Sequence, residues 1–132
     1  MYRLFTLEEA TGMIPTVDRL LGDMQEAKSE LAHLREELTK LNPYSVAARN
    51  AAQEVAFLLG QLQSDKADLD RLGVHLKDVE SGVVDFPSQL GAEVICLSWE
   101  KGQDAITHYH RLGENSPKLL PHPIGGSGSA GF

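Results

Sequence analysis

Cysteine is almost missing from this sequence, since Cys96 is the single one among 132 residues. An intrachain disulfide is therefore excluded, and this usage favours a reducing compartment such as the cytoplasm. The sequence also lacks an apolar run long enough for a transmembrane helix, and its first residues lack the apolar core of a signal peptide. We therefore expect a cytoplasmic protein that does not insert into a membrane.

Positive charge is scarce as well, because 12 Lys and Arg stand against 19 Asp and Glu, for a net charge of −7. Binding to nucleic acid depends on clustered cations that neutralise phosphates, and anionic membrane surfaces attract clustered cations in the same way. The composition therefore predicts neither nucleic acid nor a membrane surface as a partner.

What the sequence does contain is two ladders of apolar residues, over residues 17–41 and 48–72. Both step by three or four residues, and Asp65 is the only polar member. This spacing places each ladder on one stripe of an α-helix. Pro43 lies between them and disfavours helical angles in the residue before it. The sequence therefore predicts a long antiparallel two-helix coiled-coil hairpin over residues 15–72.

The entry to this hairpin contains a helix start and a proline. Thr6 followed three residues later by Glu9 is a capping box, which predicts a helix from Leu7. Proline is tolerated in the first turn of a helix and disruptive further in. We therefore predict a short helix from about Leu7 to Met13, a break or kink near Ile14, and a long helix from Pro15 to about Leu41.

The periodicity changes after Gly73. Short alternating segments separated by glycine and proline turn signals predict an antiparallel sheet of three to four strands within residues 74–111, with Pro87 closing one strand. The base of the hairpin must cover one face of this sheet, so we expect a single α+β domain over residues 1–113. The Pro-, Gly- and Ser-rich residues 114–132 are predicted to form a flexible tail.

Additional apolar residues widen the second ladder, notably Ala52, Ala56 and Leu59. One partner helix cannot cover so wide a stripe, so this surface should contact the sheet or a second copy of the chain. The pattern favours a homodimer, or another protein as partner. This apolar surface also favours a function as a non-catalytic interaction or scaffold module that acts through its helical hairpin.

Several stretches are similar to a known family. Residues 4–10 read Leu-Phe-Thr-Leu-Glu-Glu-Ala, residues 73–78 read Gly-Val-His-Leu-Lys-Asp, and residues 82–87 read Gly-Val-Val-Asp-Phe-Pro. A strand that ends at Trp99 follows, and His110 comes after it. Together these stretches resemble the bacterial family catalogued as domain of unknown function 2203 (DUF2203).

The resemblance implies a small bacterial cytosolic protein of this layout and implies no activity. It points to Asp78, Asp85 and His110 as a candidate functional polar cluster. The sequence departs from the family pattern at Gln103, where the pattern has an acid, and at Tyr109, where it has tryptophan.

The sheet half also offers a metal-ligand pattern. Strand alternation places His108 and His110 on one face, and Asp85 could complete a site for a divalent ion such as zinc or manganese. The alternative function is therefore a small metal-binding protein or a metal-dependent hydrolase. A second interpretation keeps His110 as a structural histidine held by an acid. Trp99 is expected to anchor the core, while Cys96, on the opposite strand face, is expected to be inert.

The sequence contains no familiar catalytic motif that would predict an enzyme. The sequence has no phosphate-binding loop, no His-Glu-x-x-His zinc motif and no Gly-x-Ser-x-Gly elbow. Both function classes stay open on sequence grounds, with the interaction module favoured because it accounts for the longest regular feature.

Overall fold

The structure is a computed structural model that describes residues 3–114 and 117–120. In this part of the chain two helices, α1 (Leu7–Leu38) and α2 (Val46–Leu72), precede five strands. The strands are β1 (His75–Asp78), β2 (Val83–Leu90), β3 (Glu93–Glu100), β4 (His108–Arg111) and β5 (Lys118–Leu119). They form one antiparallel sheet in chain order. The predicted α+β architecture is confirmed, with one strand more than the predicted upper number.

The two apolar ladders face each other in the helical hairpin. Every member of both ladders is buried or partly buried, which confirms the predicted stripes. The Ser45 hydroxyl caps α2 by accepting from the backbone N–H of Ala48, and Gly73 ends the helix in the left-handed region at φ 85°. Neither described helix carries a stretch that is apolar and free of charge enough to cross a bilayer.

The core has two parts along α1. The first half of the helix packs through Val17, Leu20 and Met24 on the inner face of the sheet, where Leu97 and Trp99 are fully buried. The second half packs its apolar stripe against α2, in a smaller cluster built on Ala27, Leu31 and Leu58. The hairpin therefore extends beyond the sheet, and the predicted role of Trp99 as a core anchor is confirmed.

The predicted break before Pro15 is wrong, because α1 continues through this proline. The capping box of Thr6 and Glu9 forms as predicted and starts the helix at Leu7. Pro15 removes only the N–H that would bond to the carbonyl of Thr11, and both residues are exposed, so water can satisfy that carbonyl. Ala10 and Val17 are buried on either side of the gap and hold the helix in place.

The other end of α1 comes earlier than predicted, at Leu38 instead of Leu41. The Thr39 hydroxyl donates to the carbonyl of Glu36, and the next residues form a turn. The backbone N–H of Tyr44 donates to the Asn42 side chain, which tightens the connection to α2.

Pro87 does not close a strand as predicted, since β2 runs through it to Leu90. The carbonyl of Pro87 accepts a hydrogen bond from the N–H of Phe5, on the side away from β3. Because the N and O of an antiparallel strand residue point to the same side, the missing N–H of Pro87 costs no bond to β3.

The sheet also extends beyond the predicted boundary at residue 113. Lys118 and Leu119 pair with Tyr109 and His108 as β5, so this part of the predicted flexible tail belongs to the fold. A strand of two residues leaves too short a pattern to detect by alternation. Residues 115–116 and 121–132 of the predicted tail lie outside the described residues.

Asp65, the polar member of the second ladder, is directed partly inward. One of its carboxylate oxygens, Oδ2, is buried and has no hydrogen-bond partner among the described residues. Burial and the nearby charge of Asp23 raise the pKa of Asp65, while Arg19 opposes this shift. The folded protein therefore holds the Asp65 proton more tightly than the unfolded chain does.

Leu31→Ala tests the hairpin cluster. Leu31 is 6% exposed and packs in the cluster that joins the helices beyond the sheet. We expect a loss of about 2–5 kcal/mol in the free energy of unfolding, measured by urea denaturation. Glu30→Ala at the exposed neighbouring position is the control and should change it by less than about 0.5 kcal/mol. Equal costs for the two variants would contradict the assignment of this stripe to the core.

Asp65→Asn tests the buried carboxylate. Because the pKa of Asp65 is raised in the folded state, its ionised form destabilises the fold at neutral pH, and protonation relieves this as pH falls. We therefore expect Asp65→Asn to have the higher Tm at pH 7, with the difference shrinking as pH falls through the folded-state pKa. Glu54→Gln, on the exposed side of α2, should show no such pH-dependent gain.

Candidate functional site

A polar cluster lies on the outer face of the sheet, opposite the helices. On β3, Ile95, Leu97 and Trp99 face the core, so Cys96 and Ser98 face outward. The strand pairing places Cys96 opposite His110 of β4 on one side and opposite Pro87 of β2 on the other. Ser98 lies in the next row, opposite Asp85 and His108.

Asp85 and His110 meet across this face. Their strands are separated by β3, yet His110 Nε2 lies 3.0 Å from Asp85 Oδ2, and both residues are buried. The Lys77 ammonium from β1 lies 3.9 Å from the same oxygen and is partly exposed. A buried carboxylate is thus held between one buried ring and one cation at the surface.

The contacts of the His110 ring define what it can do. Nδ1 lies 3.1 Å from the backbone carbonyl of Arg111, an acceptor, so this nitrogen carries a proton. Nε2 is directed at the Asp85 carboxylate, so both ring nitrogens face oxygen atoms. The arrangement joins β2 to β4 by a buried hydrogen bond between Asp85 and His110.

The Asp85 carboxylate has a second oxygen that takes no part in the contact with His110. Its second oxygen, Oδ1, is buried and has no hydrogen-bond partner among the described residues. A buried carboxylate oxygen without a donor loses its hydration without compensation. Within the described part of the chain, this face of the sheet therefore contains one buried acceptor without a donor.

Cys96 is the third member of the cluster. Its Sγ, one Asp85 oxygen and one His110 ring nitrogen all lie within 4.8 Å of one another. Burial, followed by the Asp85 charge, raises the pKa of Cys96 to about 11, so the side chain is a neutral thiol at pH 7. Cys96 is buried as a small apolar residue would be.

Nucleophilic catalysis does not fit these contacts. A cysteine nucleophile needs a histidine nitrogen free to take its proton, with the acid on the other nitrogen. His110 directs one nitrogen at Asp85 and the other at the Arg111 carbonyl, which leaves none for Cys96. The raised pKa of the Cys96 thiol works against reactivity as well.

Two residues that were predicted to belong to the site lie away from Asp85 in the structure. Asp78 lies at the end of β1, where its carboxylate accepts from the hydroxyl and the N–H of Ser81; these hydrogen bonds lower the pKa of Asp78 and secure a turn. His108 shares the outer face with His110, as predicted, but its Nδ1 contacts the Thr107 hydroxyl at 2.8 Å. Neither belongs to the group that surrounds Asp85.

Cys96, in contrast, is a member that the sequence analysis set aside. Strand alternation in the sequence already assigned Cys96 to the face opposite Trp99. The sequence does not give the strand order, which puts β3 between the strands that carry Asp85 and His110.

A separate cleft of about 560 Å³ lies between α1 and the turn after β1. Its main polar groups already pair with one another: Gln25 Nε2 donates to the carbonyls of Val79 and Glu80, and the Lys28 ammonium lies 3.7 Å from the Glu80 carboxylate. These contacts attach the turn to the helix and leave few groups to orient a ligand.

The fold and cluster define an α+β protein with a two-helix hairpin on a five-stranded antiparallel sheet and a buried Asp–His pair on its outer face. The chain belongs to the DUF2203 family, described as an uncharacterized conserved protein, which matches residues 3–116. This confirms the resemblance seen in the sequence. No solved structure matches the chain.

Asp85→Ala tests the buried hydrogen bond between Asp85 and His110. It leaves Nε2 of the buried His110 ring without its partner, so we expect a loss of about 1–3 kcal/mol in unfolding free energy at pH 7. Lys77→Ala removes the other partner of Asp85, but this partner is 39% exposed, so the cost should be about 0–1 kcal/mol. Equal losses from the two variants would show that His110 is not the main partner of Asp85.

Proposed function

We propose that this protein is a non-catalytic scaffold that self-associates through the outer face of α2. This outer face consists of Gln53, Ala56, Phe57, Gly60 and Ser64, all exposed and turned away from α1. Phe57 is 65% exposed, which is unusual for a large aromatic residue in the middle of a helix.

The distribution of charge on the two helices supports an interface. Within residues 50–64 of α2, Glu54 is the only charged residue. Residues 25–39, which comprise the second half of α1 and its C-cap Thr39, carry six: Glu26, Lys28, Glu30, Arg35, Glu36 and Glu37. An exposed helix face that is meant for water normally carries such charges, so the neutral stretch of α2 is suited to burial against another surface.

Gly60 supports the close approach of a second helix. Glycine inside a helix costs about 1 kcal/mol relative to alanine. A Cβ at Gly60 would have no heavy atom of the described residues within 4 Å, so packing among those residues does not require a glycine there. Beside the exposed Phe57, Gly60 leaves a notch in the helix surface that an aromatic ring from another chain can enter.

A second copy is the occupant that fits best. When two α2 helices pair antiparallel around a two-fold axis between Leu58 and Leu59, Phe57 of each copy lies opposite Gly60 of the other. The same register sets Arg49 opposite Asp68, so the charges that flank the neutral stretch are complementary. A two-fold interface requires such self-complementarity, and the pairing would form a four-helix bundle.

Phe57→Glu tests this proposal by sedimentation equilibrium over a range of concentrations. We expect a homodimer for the parent chain and a monomer for Phe57→Glu, because the new charges meet across the two-fold axis. Leu112→Glu is the matched control, since Leu112 is an exposed large apolar residue outside the hairpin and its replacement should leave the dimer intact.

Gly60→Gln separates association from folding. This change improves helix propensity and should raise the stability of the monomer by about 0.5–1 kcal/mol, while its side chain fills the notch and weakens the dimer. A parent chain that is monomeric at every concentration, or a dimer that persists in Phe57→Glu, would overturn the proposal.

A further inference from the structure

The outer face of the sheet is separate from the proposed helical interface. We propose that Asp85, Cys96 and His110 form a binding site for a single zinc ion. Their ligand atoms lie within 4.8 Å of one another, and the three residues are 4–7% exposed. A carboxylate, a thiol and an imidazole are three of the groups that zinc prefers.

The Asp85 carboxylate in this cluster has one buried oxygen without a hydrogen-bond donor in the described part of the chain, which a structural pair of Asp and His would not require. Oδ2 already interacts with His110 and Lys77, whereas Oδ1 is buried without a partner among the described residues. A zinc ion that binds Oδ2 also lies close to Oδ1 of the same carboxylate, and its positive charge compensates the hydration that Oδ1 has lost.

His110 is oriented as a metal ligand requires. A ligating histidine typically donates its other ring N–H to a carbonyl or carboxylate, which fixes the ring and its tautomer. Nδ1 of His110 does this toward the carbonyl of Arg111 at 3.1 Å. On zinc binding, Nε2 exchanges the proton it shares with Asp85 for the ion, and that proton leaves to solvent.

The Asp85 and His110 side chains need only a small adjustment to bind zinc. Nε2 of His110 and Oδ2 of Asp85 are 3.0 Å apart. Two ligand atoms at opposite ends of a tetrahedral angle around zinc, each about 2.0–2.1 Å from it, lie about 3.3 Å apart. The two side chains therefore open by a few tenths of an ångström, and the Cys96 thiol releases its proton to become the third ligand.

The ligand set selects zinc over manganese and magnesium. Thiolate is a soft ligand that suits zinc, whereas manganese and magnesium prefer oxygen. The thiolate of Cys96 and the carboxylate of Asp85 together balance the charge of the dication, which favours its binding in a buried position. Three protein ligands leave a fourth position for water.

Cobalt(II) is the probe for the test, because it takes the tetrahedral sites of zinc and shows a near-ultraviolet charge-transfer band when a thiolate binds. Chelator-treated, reduced parent protein should bind one cobalt ion per chain, show this band and lose it when zinc is added. Cys96→Ser should lose the band. His110→Gln should weaken zinc binding by more than about tenfold, since even indirect partners of a metal site contribute about 10–100-fold.

Two control variants make the test specific. His108→Gln alters a histidine on the same strand and face but outside the cluster, and it should bind zinc as the parent does. Lys77→Gln removes a cation 3.9 Å from Asp85 and should bind zinc more tightly. Circular dichroism of each metal-free variant confirms that it is folded.

A folded parent protein that takes up no cobalt or zinc, or binds it without the thiolate band, refutes a site that contains Cys96. Equal loss of binding in His108→Gln and His110→Gln would refute the assignment of His110 as the ligand.

Discussion

The burial of one stripe of α1 on the inner face of the sheet is the constraint on which the molecule depends. Val17, Leu20 and Met24 lie against strands whose inward residues, Leu97 and Trp99, have almost no exposed surface. The same stripe continues into the hairpin, where it meets α2. One unbroken helix therefore fixes the direction of the hairpin relative to the sheet. Both candidate surfaces lie on the sides of the molecule that this helix leaves uncovered.

Most of the architecture could be predicted because it follows from periodicity. The two ladders and the change to alternation after Gly73 are local patterns, and a hydrophobic stripe needs a partner wherever it occurs. The two prolines were misjudged because their tolerance depends on tertiary context. Pro15 is tolerated because Ala10 and Val17 hold the helix on both sides of it. Pro87 is tolerated because its nitrogen faces away from β3, and only the pairing shows this.

The candidate site was predictable only in part, because local patterns do not give the strand pairing. The pairing of Asp85 with His110 was anticipated as a carboxylate that holds a histidine, and strand alternation correctly placed Cys96 on the outer face. Membership of the cluster, however, depends on which strands are neighbours and in which register. Asp78 is close to Asp85 in sequence but caps a turn, while Cys96 lies between the strands that carry the other two residues. Only long-range pairing assigns these positions.

The core consists of one cluster on the sheet and a second cluster around Ala27, Leu31 and Leu58, and this division affects how such a chain can vary in length. The second cluster involves only the two helices. Seven residues make about two helical turns, so inserting or deleting seven in each arm keeps both stripes in register. Such a change moves the tip by about 10 Å and leaves the contacts on the sheet unaltered. Hairpin length is thus a quantity that evolution or design can adjust separately from the rest of the domain.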